Sequence, residues 1–187
     1  KLEFIFMHHE QSAAMAAEAY YRIKNKPAIL SVTSGPGGTN AITGVIGAWI
    51  DSIPMIIISG QVETKDMILK SQTRQLGIQY SKVLTKNCNI ELELSNALKI
   101  ATEGRPGPVW IDVPLDIQSQ KFFKKKINKN KIKKYHLNKI DEKKIFRTIK
   151  LINESKRPVI LIGNGVHISN SQKKLFYFLK KTNIAVL

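Results

Sequence analysis

Cysteine is almost absent from this chain of 187 residues: Cys88 stands alone, so no internal disulfide can form. That excludes the small disulfide-stapled folds and fits a reducing compartment, with the cytoplasm as the expected location. No apolar run reaches the roughly 18 residues of a membrane span, and no signal peptide is visible, so no membrane role is expected. Acidic residues are scarce as well. The chain has 14 Asp and Glu against 30 Lys and Arg, a formal charge of +16. An excess of that size raises the question of an anionic partner such as nucleic acid. Much of it, however, falls in one low-complexity stretch rich in Lys, Asn and Ile. Lys121, Lys124, Lys125, Lys126, Lys129, Lys131, Lys133 and Lys134 all lie there. Its few aromatics, Phe122, Phe123 and Tyr135, offer little for base stacking. The stretch reads as a solvated linker, and no nucleic-acid partner is expected.

What is present is enough apolar residue, 43% of the chain, for one full domain and part of another. Lys1 opens the chain directly on an apolar run, and Ile184 to Leu187 close it on another. The expectation is therefore a piece of a longer protein.

The patterning alternates. Leu2–Met7 reads as a strand, Gln11–Lys24 as a helix with small residues on one side, and Ala28–Thr33 as a strand covered on both faces. Ser34 to Asn40 holds three glycines and a proline. It reads as a tight loop, with a second helix starting near Thr39 and burying Ala41, Val45, Ala48 and Trp49. Met55–Ser59 is a further strand, residues 60–82 a long polar loop, and Glu91–Glu103 a helix with Leu94, Ala97, Leu98 and Ala101 inward. Pro108–Val113 is a strand. After the linker, the pattern predicts a helix over Glu142–Glu154, a strand over Val159–Ile162, a turn at Gly163–Gly165, a helix over Ser171–Lys181 and a strand from Ile184. Strands alternating with helices predict an α/β fold, a doubly wound parallel sheet with helices on both faces. The expected limits are a first domain over 1–118, the basic linker over 119–138, and the start of a second Rossmann-like α/β domain over 139–187.

Ligands of such sheets sit at the carboxyl ends of the strands. Glu10, in His8-His9-Glu10-Gln11, and the Gly35–Gly38 loop both fall at such ends. A carboxylate opening a helix after a short apolar run is a candidate for chemistry, and glycines permit close backbone approach to a ligand. The loop lacks the Lys-Ser/Thr ending of a phosphate-binding P-loop. His8 and His9 invite a metal reading. Neighbours on a strand point to opposite faces, so no metal site is expected from them.

Four stretches then line up: HHEQSAAMAAEAYYR at His8–Arg22, TSGPGGTNAITG at Thr33–Gly44, DSIPMIIISGQV at Asp51–Val62 and GRPGPVWIDVPLDIQ at Gly104–Gln118. In this order and spacing they resemble the pyrimidine-binding domain of thiamine-diphosphate enzymes, and among these the acetolactate synthase large subunit. PVILIGNGV at Pro158–Val166 resembles the opening of that family's central domain. The resemblance implies thiamine diphosphate as cofactor, with Glu10 bonded to N1′ of its aminopyrimidine. It implies Gly35, Pro36, Gly37 and Asn40 beside the cofactor. Gln79 would be a catalytic glutamine on the substrate side, and Arg105 would contact FAD, whose binding stays open. Mg²⁺ and the diphosphate would be held by a third domain. The Gly-Asp-Gly of its motif does not occur here. For Glu10 to share a proton with the ring, an apolar pocket that raises its pKa is expected, and the Ala-rich helix beyond it suggests one.

The implied activity is decarboxylation of a 2-oxo acid, pyruvate, with transfer of the two-carbon unit to a second 2-oxo acid, a step of branched-chain amino acid biosynthesis. A second subunit of the same protein would complete the site, and a regulatory subunit stays open. Another thiamine-diphosphate decarboxylase or lyase is the alternative within the class. A non-catalytic assembly or nucleic-acid-binding module is the alternative outside it.

Overall fold

The computed structural model describes residues 3–67, 78–120 and 141–187. It forms two compact units, Lys1–Lys133 and Lys134–Leu187.

In the first unit, α1 (Glu10–Lys24) leads into β1 (Ala28–Val32), then α2 (Pro36–Ile50), β2 (Met55–Gln61), β3 (Tyr80–Val83), α3 (Ile90–Thr102), β4 (Pro108–Pro114) and the single turn α4 (Leu115–Gln118). The four strands make one sheet in the order β1-β2-β4-β3. Every neighbouring pair is parallel, with Leu30 opposite Ile57, Ile57 opposite Trp110 and Ser81 opposite Trp110.

Side chains along a strand alternate between faces, and each face has its own core. Leu30, Val32, Met55, Ile57 and Trp110 pack with Ala14, Ala17, Tyr21, Ala41, Val45 and Ala48 of α1 and α2. Ile56, Val109 and Ile111 pack with Ala97 and Ala101 of α3 and Ile117 of α4. The sheet is thus flanked by helices on both sides, as the strand–helix alternation predicts.

Local chemistry explains the ends. Asn25 closes α1 in the left-handed region, φ 54°, and its N–H donates to the Tyr21 carbonyl. Asn89 opens α3 by accepting from the Leu92 amide at 3.2 Å.

Several expectations need correction. Residues 3–7 form no strand; no described strand pairs with them, and Phe4, Ile5 and Phe6 are exposed. A strand is stable only when its backbone groups are paired. The glycine-rich segment is largely helical: α2 starts at Pro36, so Gly37 and Gly38 lie in its first turn. Proline suits this position, having no N–H to leave unsatisfied. Only Gly35 remains outside, with φ +63°, which an L side chain rarely adopts. Trp49 faces outward rather than into the core, and so do Leu94 and Leu98 on α3. The polar stretch 60–82 is no continuous loop, because β2 runs to Gln61 and β3 begins at Tyr80. Residues 68–77 of that stretch, and most of the basic linker, lie outside the described residues.

The second unit contains α5 (Glu142–Glu154), β5 (Val159–Ile160), the single turn α6 (Gly165–Ile168), α7 (Gln172–Thr182) and β6 (Ala185–Val186). β5 and β6 are parallel neighbours. Gly165 starts a helical turn rather than ending a loop, and β5 is shorter than the apolar run suggests. Among its described residues none is buried, and Phe146, Phe176 and Tyr177 stand exposed.

Candidate active site

The site is built where α1 and α2 begin. α1 runs down into the amino end of β1, and α2 leaves its carboxyl end. Both helix starts therefore lie at the carboxyl edge of the sheet. His9 precedes α1 with extended backbone, φ −146° and ψ 137°, and its Nδ1 accepts from the Gln11 amide at 3.2 Å. Glu10 is the first helical residue.

The two helices come unusually close because of their small residues. A Cβ on Gly44 would lie 2.6 Å from Ala14 Cβ and 3.2 Å from the Met15 backbone nitrogen. This approach brings Asn40 to Glu10: Asn40 Nδ2 donates to Glu10 Oε2 at 3.1 Å. Gly37 borders the other oxygen, and a Cβ there would sit 3.4 Å from Glu10 Oε1 and 2.6 Å from Thr33 Cγ2. Asn40 and Gly37, two of the residues expected at the cofactor, thus flank the Glu10 carboxylate.

The expected apolar pocket around Glu10 is not what these contacts make. Its carboxyl is held below the ordinary carboxylate range, first by the Asn40 side-chain bond and then by its own backbone N–H, with a smaller contribution from His9. Partial desolvation opposes this and does not prevail. Within this chain Glu10 is therefore an ionised, partly exposed carboxylate with one oxygen engaged. Removing the engaging amide has a predictable sign. Asn40→Ala should raise the Glu10 pKa toward its ordinary value, which carbon NMR titration of the side chain would read. The depressed pKa adds stability above the ordinary value, and that contribution fades as pH falls through the folded-state pKa. Asn40→Ala should flatten this acid limb.

Beside α2 lies a cleft of about 190 Å³ lined by Ser34, Gly35, Thr39, Gln61 and Asp112, among others. Its floor is a polar cluster that the sequence reading missed. Trp110 Nε1 donates to Ser59 Oγ at 2.8 Å and to Asp112 Oδ1 at 3.0 Å. The Ser59 hydroxyl also donates to Asp112. Ser59 is buried and opposes Asp112 in the β2–β4 register. A signal was available: Trp110 and Asp112 are two apart on a strand and so share a face. The ring they orient lies under α2, with Trp110 Cζ2 3.4 Å from where a Gly38 Cβ would be.

Gln79 and Arg105 are not brought to this edge. The Gln79 amide donates to the carbonyl of Pro108, the first residue of β4, and its side-chain Nε2 donates to the Arg105 carbonyl. Gly107 makes room for it: a Cβ there would meet Gln79 Nε2 at 2.7 Å. Both residues thus sit at the amino ends of β3 and β4. The seven residues of β4, at about 3.3 Å of rise per residue, put roughly 20 Å between that edge of the sheet and its carboxyl edge.

Arg105 is occupied there. Its Nη2 donates to the Ile50 carbonyl at 3.1 Å and the Trp49 carbonyl at 3.4 Å, and its Nε to Ser52 Oγ at 2.8 Å. The guanidinium also lies over the Trp49 ring, 5.5 Å from its centroid. It satisfies the Ile50 carbonyl at the end of α2, adds to the Trp49 carbonyl that also accepts from the Ser52 amide, and complements the negative end of the helix dipole. Arg105→Ala should lower stability by about 1–2 kcal/mol, allowing for exposure. Arg105→Lys should recover only part, because one ammonium cannot span the same fork. Urea midpoints would show both.

Among the described residues no group of three or more His, Cys, Asp or Glu could hold a metal ion, and no helix is long and apolar enough to cross a membrane.

Comparison with known proteins bears on the family and the fold. Residues 1–80 match the family described as thiamine pyrophosphate enzyme, N-terminal TPP binding domain. The acetolactate synthase large subunit of Buchnera aphidicola subsp. Acyrthosiphon pisum is 36% identical over 99% of this chain and 34% of its own length. Chloroplastic acetolactate synthase of Arabidopsis thaliana is 33% identical over 95% of this chain and 28% of its own. A solved structure of a Mycobacterium smegmatis protein, assigned to the thiamin diphosphate-dependent enzymes, superposes with a TM-score of 0.75. It is 18% identical, covers 96% of this chain and 36% of that one, and so speaks for the fold alone. The chain spans about a third of the length of the curated relatives it matches. The chain is a fragment homologous to the acetolactate synthase large-subunit family, and its first 80 residues match that N-terminal TPP-binding domain.

Proposed function

We propose that this chain supplies the aminopyrimidine-binding side of a thiamine-diphosphate site, in a protein that decarboxylates pyruvate and transfers the two-carbon unit to a second 2-oxo acid. The observation that carries the reading is the Glu10 carboxylate, with one oxygen held by Asn40 and the other beside a glycine, at the carboxyl edge of a parallel sheet.

The residues present suit the aminopyrimidine half of the cofactor. Glu10 offers Oε1 to N1′ of the ring, and Gly37 lacks the Cβ that would crowd that oxygen. Asn40 orients the carboxylate by holding Oε2. The backbone from Gly35 to Gly38 can approach a flat ring closely. When bound, the cofactor supplies a carbon nucleophile and an electron sink for the carboxylate that leaves as carbon dioxide. With the cofactor bound, Glu10 would bond to N1′ and hold a proton at its Oε1. Covering Glu10 with an aromatic ring removes water and pushes its pKa up from the depressed value, toward the range in which a proton is shared.

Mg²⁺ and the diphosphate would be held by the family's third domain, and a second subunit would complete the site. Residues 1–118 would be the pyrimidine-binding domain, 119–138 a linker and 139–187 the opening of a central domain. Arg105 holds the end of α2 through Nε and Nη2, so an FAD contact would fall to the rest of its guanidinium.

The test is a product analysis of the full-length protein with pyruvate, alone and with a second 2-oxo acid. Carbon dioxide together with an acetohydroxy acid supports the reading. Carbon dioxide with only free aldehyde would reassign the protein to the decarboxylases, and no turnover of any 2-oxo acid would overturn it.

A further inference from the structure

His8-His9 has the look of a metal or ligand-binding pair, and the structure gives His9 another task. Its backbone is extended, φ −146° and ψ 137°, the conformation of a residue that stands just before a helix. Its carbonyl takes the first intrahelical bond, from the Ala13 amide at 3.0 Å. Its Nδ1 takes the Gln11 amide at 3.2 Å. The side chain therefore satisfies one of the donors that the first turn of α1 would otherwise leave to water. To accept, Nδ1 must carry no proton, so the imidazole acts here as Asn, Asp or Ser does at most helix starts.

We infer that His9 is a positioning residue: by capping α1 through Nδ1, it fixes Glu10 as the first helical residue and so aims its carboxylate at Asn40. The argument is geometric. Glu10 follows the cap directly, and its Oε2 meets Asn40 Nδ2, on a different helix, at 3.1 Å. A start one residue later would release Glu10 from helical backbone and swing its side chain off the α2 side. The cap stands on the bond itself. Only its consequence for chemistry rests on the reading of Glu10 as the carboxylate that meets the cofactor.

The imidazole's capping role separates cleanly from any ligand-binding role, because asparagine can cap a helix and cannot replace an imidazole toward a ligand or metal. The experiment compares His9→Ala and His9→Asn in the full chain by amide hydrogen exchange and carboxyl NMR titration. In His9→Ala, protection of the Gln11 amide should fall about fivefold, as expected for loss of a cap. The Glu10 titration should move upward as its bond with Asn40 loosens. In His9→Asn both should stay near the native values, while core amides of β2 and β4 remain unchanged in either variant. Native exchange and titration in His9→Ala would overturn the inference. So would damage in His9→Asn equal to that in His9→Ala. None of these readings requires turnover, so they fail or hold separately from the proposed reaction.

Discussion

Glu10→Gln in the full-length protein should lower kcat by about 10²–10⁴-fold, the usual contribution of a positioned acid–base group. That corresponds to roughly 3–5 kcal/mol of barrier. Glutamine has the same length and can still accept from Asn40, so the contact at Oε2 should survive. What is lost is the ability to hold a proton at Oε1, the side bordered by Gly37. The loss should appear in kcat far more than in KM, since the carboxylate is assigned to activation and not to holding the 2-oxo acid. Folding should be nearly unaffected, because a solvent-reached charge in the first turn of a helix contributes little to stability. A thermal melt within a few degrees of native, beside collapsed turnover, would separate a chemical role from a structural one. Near-native kcat would remove Glu10 from the mechanism.

The second large effect concerns Gly44. Alanine is ordinarily the better helix former, by about 1 kcal/mol. Here the added methyl would land 2.6 Å from Ala14 Cβ and 3.3 Å from the Ala14 carbonyl carbon. Carbon atoms prefer about 3.5–4.0 Å, and no rotamer change can relieve a clash with backbone. α1 and α2 must therefore separate. Gly44→Ala should destabilise the domain by about 1–3 kcal/mol, the propensity gain notwithstanding. It should also weaken the Asn40–Glu10 bond, because these residues ride on the two helices being pushed apart. Adding Ala14→Gly removes the methyl that Gly44→Ala would strike. The double variant should regain a native Glu10 titration even though glycine in α1 costs some stability. Urea midpoints and carboxyl NMR would report the two effects independently. A stabilised Gly44→Ala variant would show that the helices are not held this close.

Much of this was legible in the sequence. The strand–helix alternation places β1, β2, β4, α1, α3, α5 and α7 within a few residues of where they lie, because each carries a strong apolar period. β3 escaped because Tyr80–Val83 is short and has two adjacent polar residues, Ser81 and Lys82, at its centre, and takes its stability from pairing with β4. α4 and α6 are single turns, too short to show a period. The start of α2 was misread because glycines suggest a loop, whereas Pro36 is well suited to a first helical turn.

For the site, a motif could single out Glu10 but not the direction of its pKa shift. That direction comes from Asn40, thirty residues away in sequence and adjacent only once α1 and α2 pack. The same limit applies to Gln79 and Arg105. A motif gives the residue types but not which edge of the sheet they reach, and both precede their strands rather than follow them.

The most direct test of the account is the titration of the Glu10 carboxyl carbon in full-length protein, with and without thiamine diphosphate and Mg²⁺. Without cofactor the midpoint should lie below the ordinary carboxylate range, held there by Asn40. With cofactor bound it should move upward, as the ring covers the carboxylate and a proton is held between them. A midpoint that stays put while the cofactor is demonstrably bound would contradict the assignment of Glu10 to the aminopyrimidine.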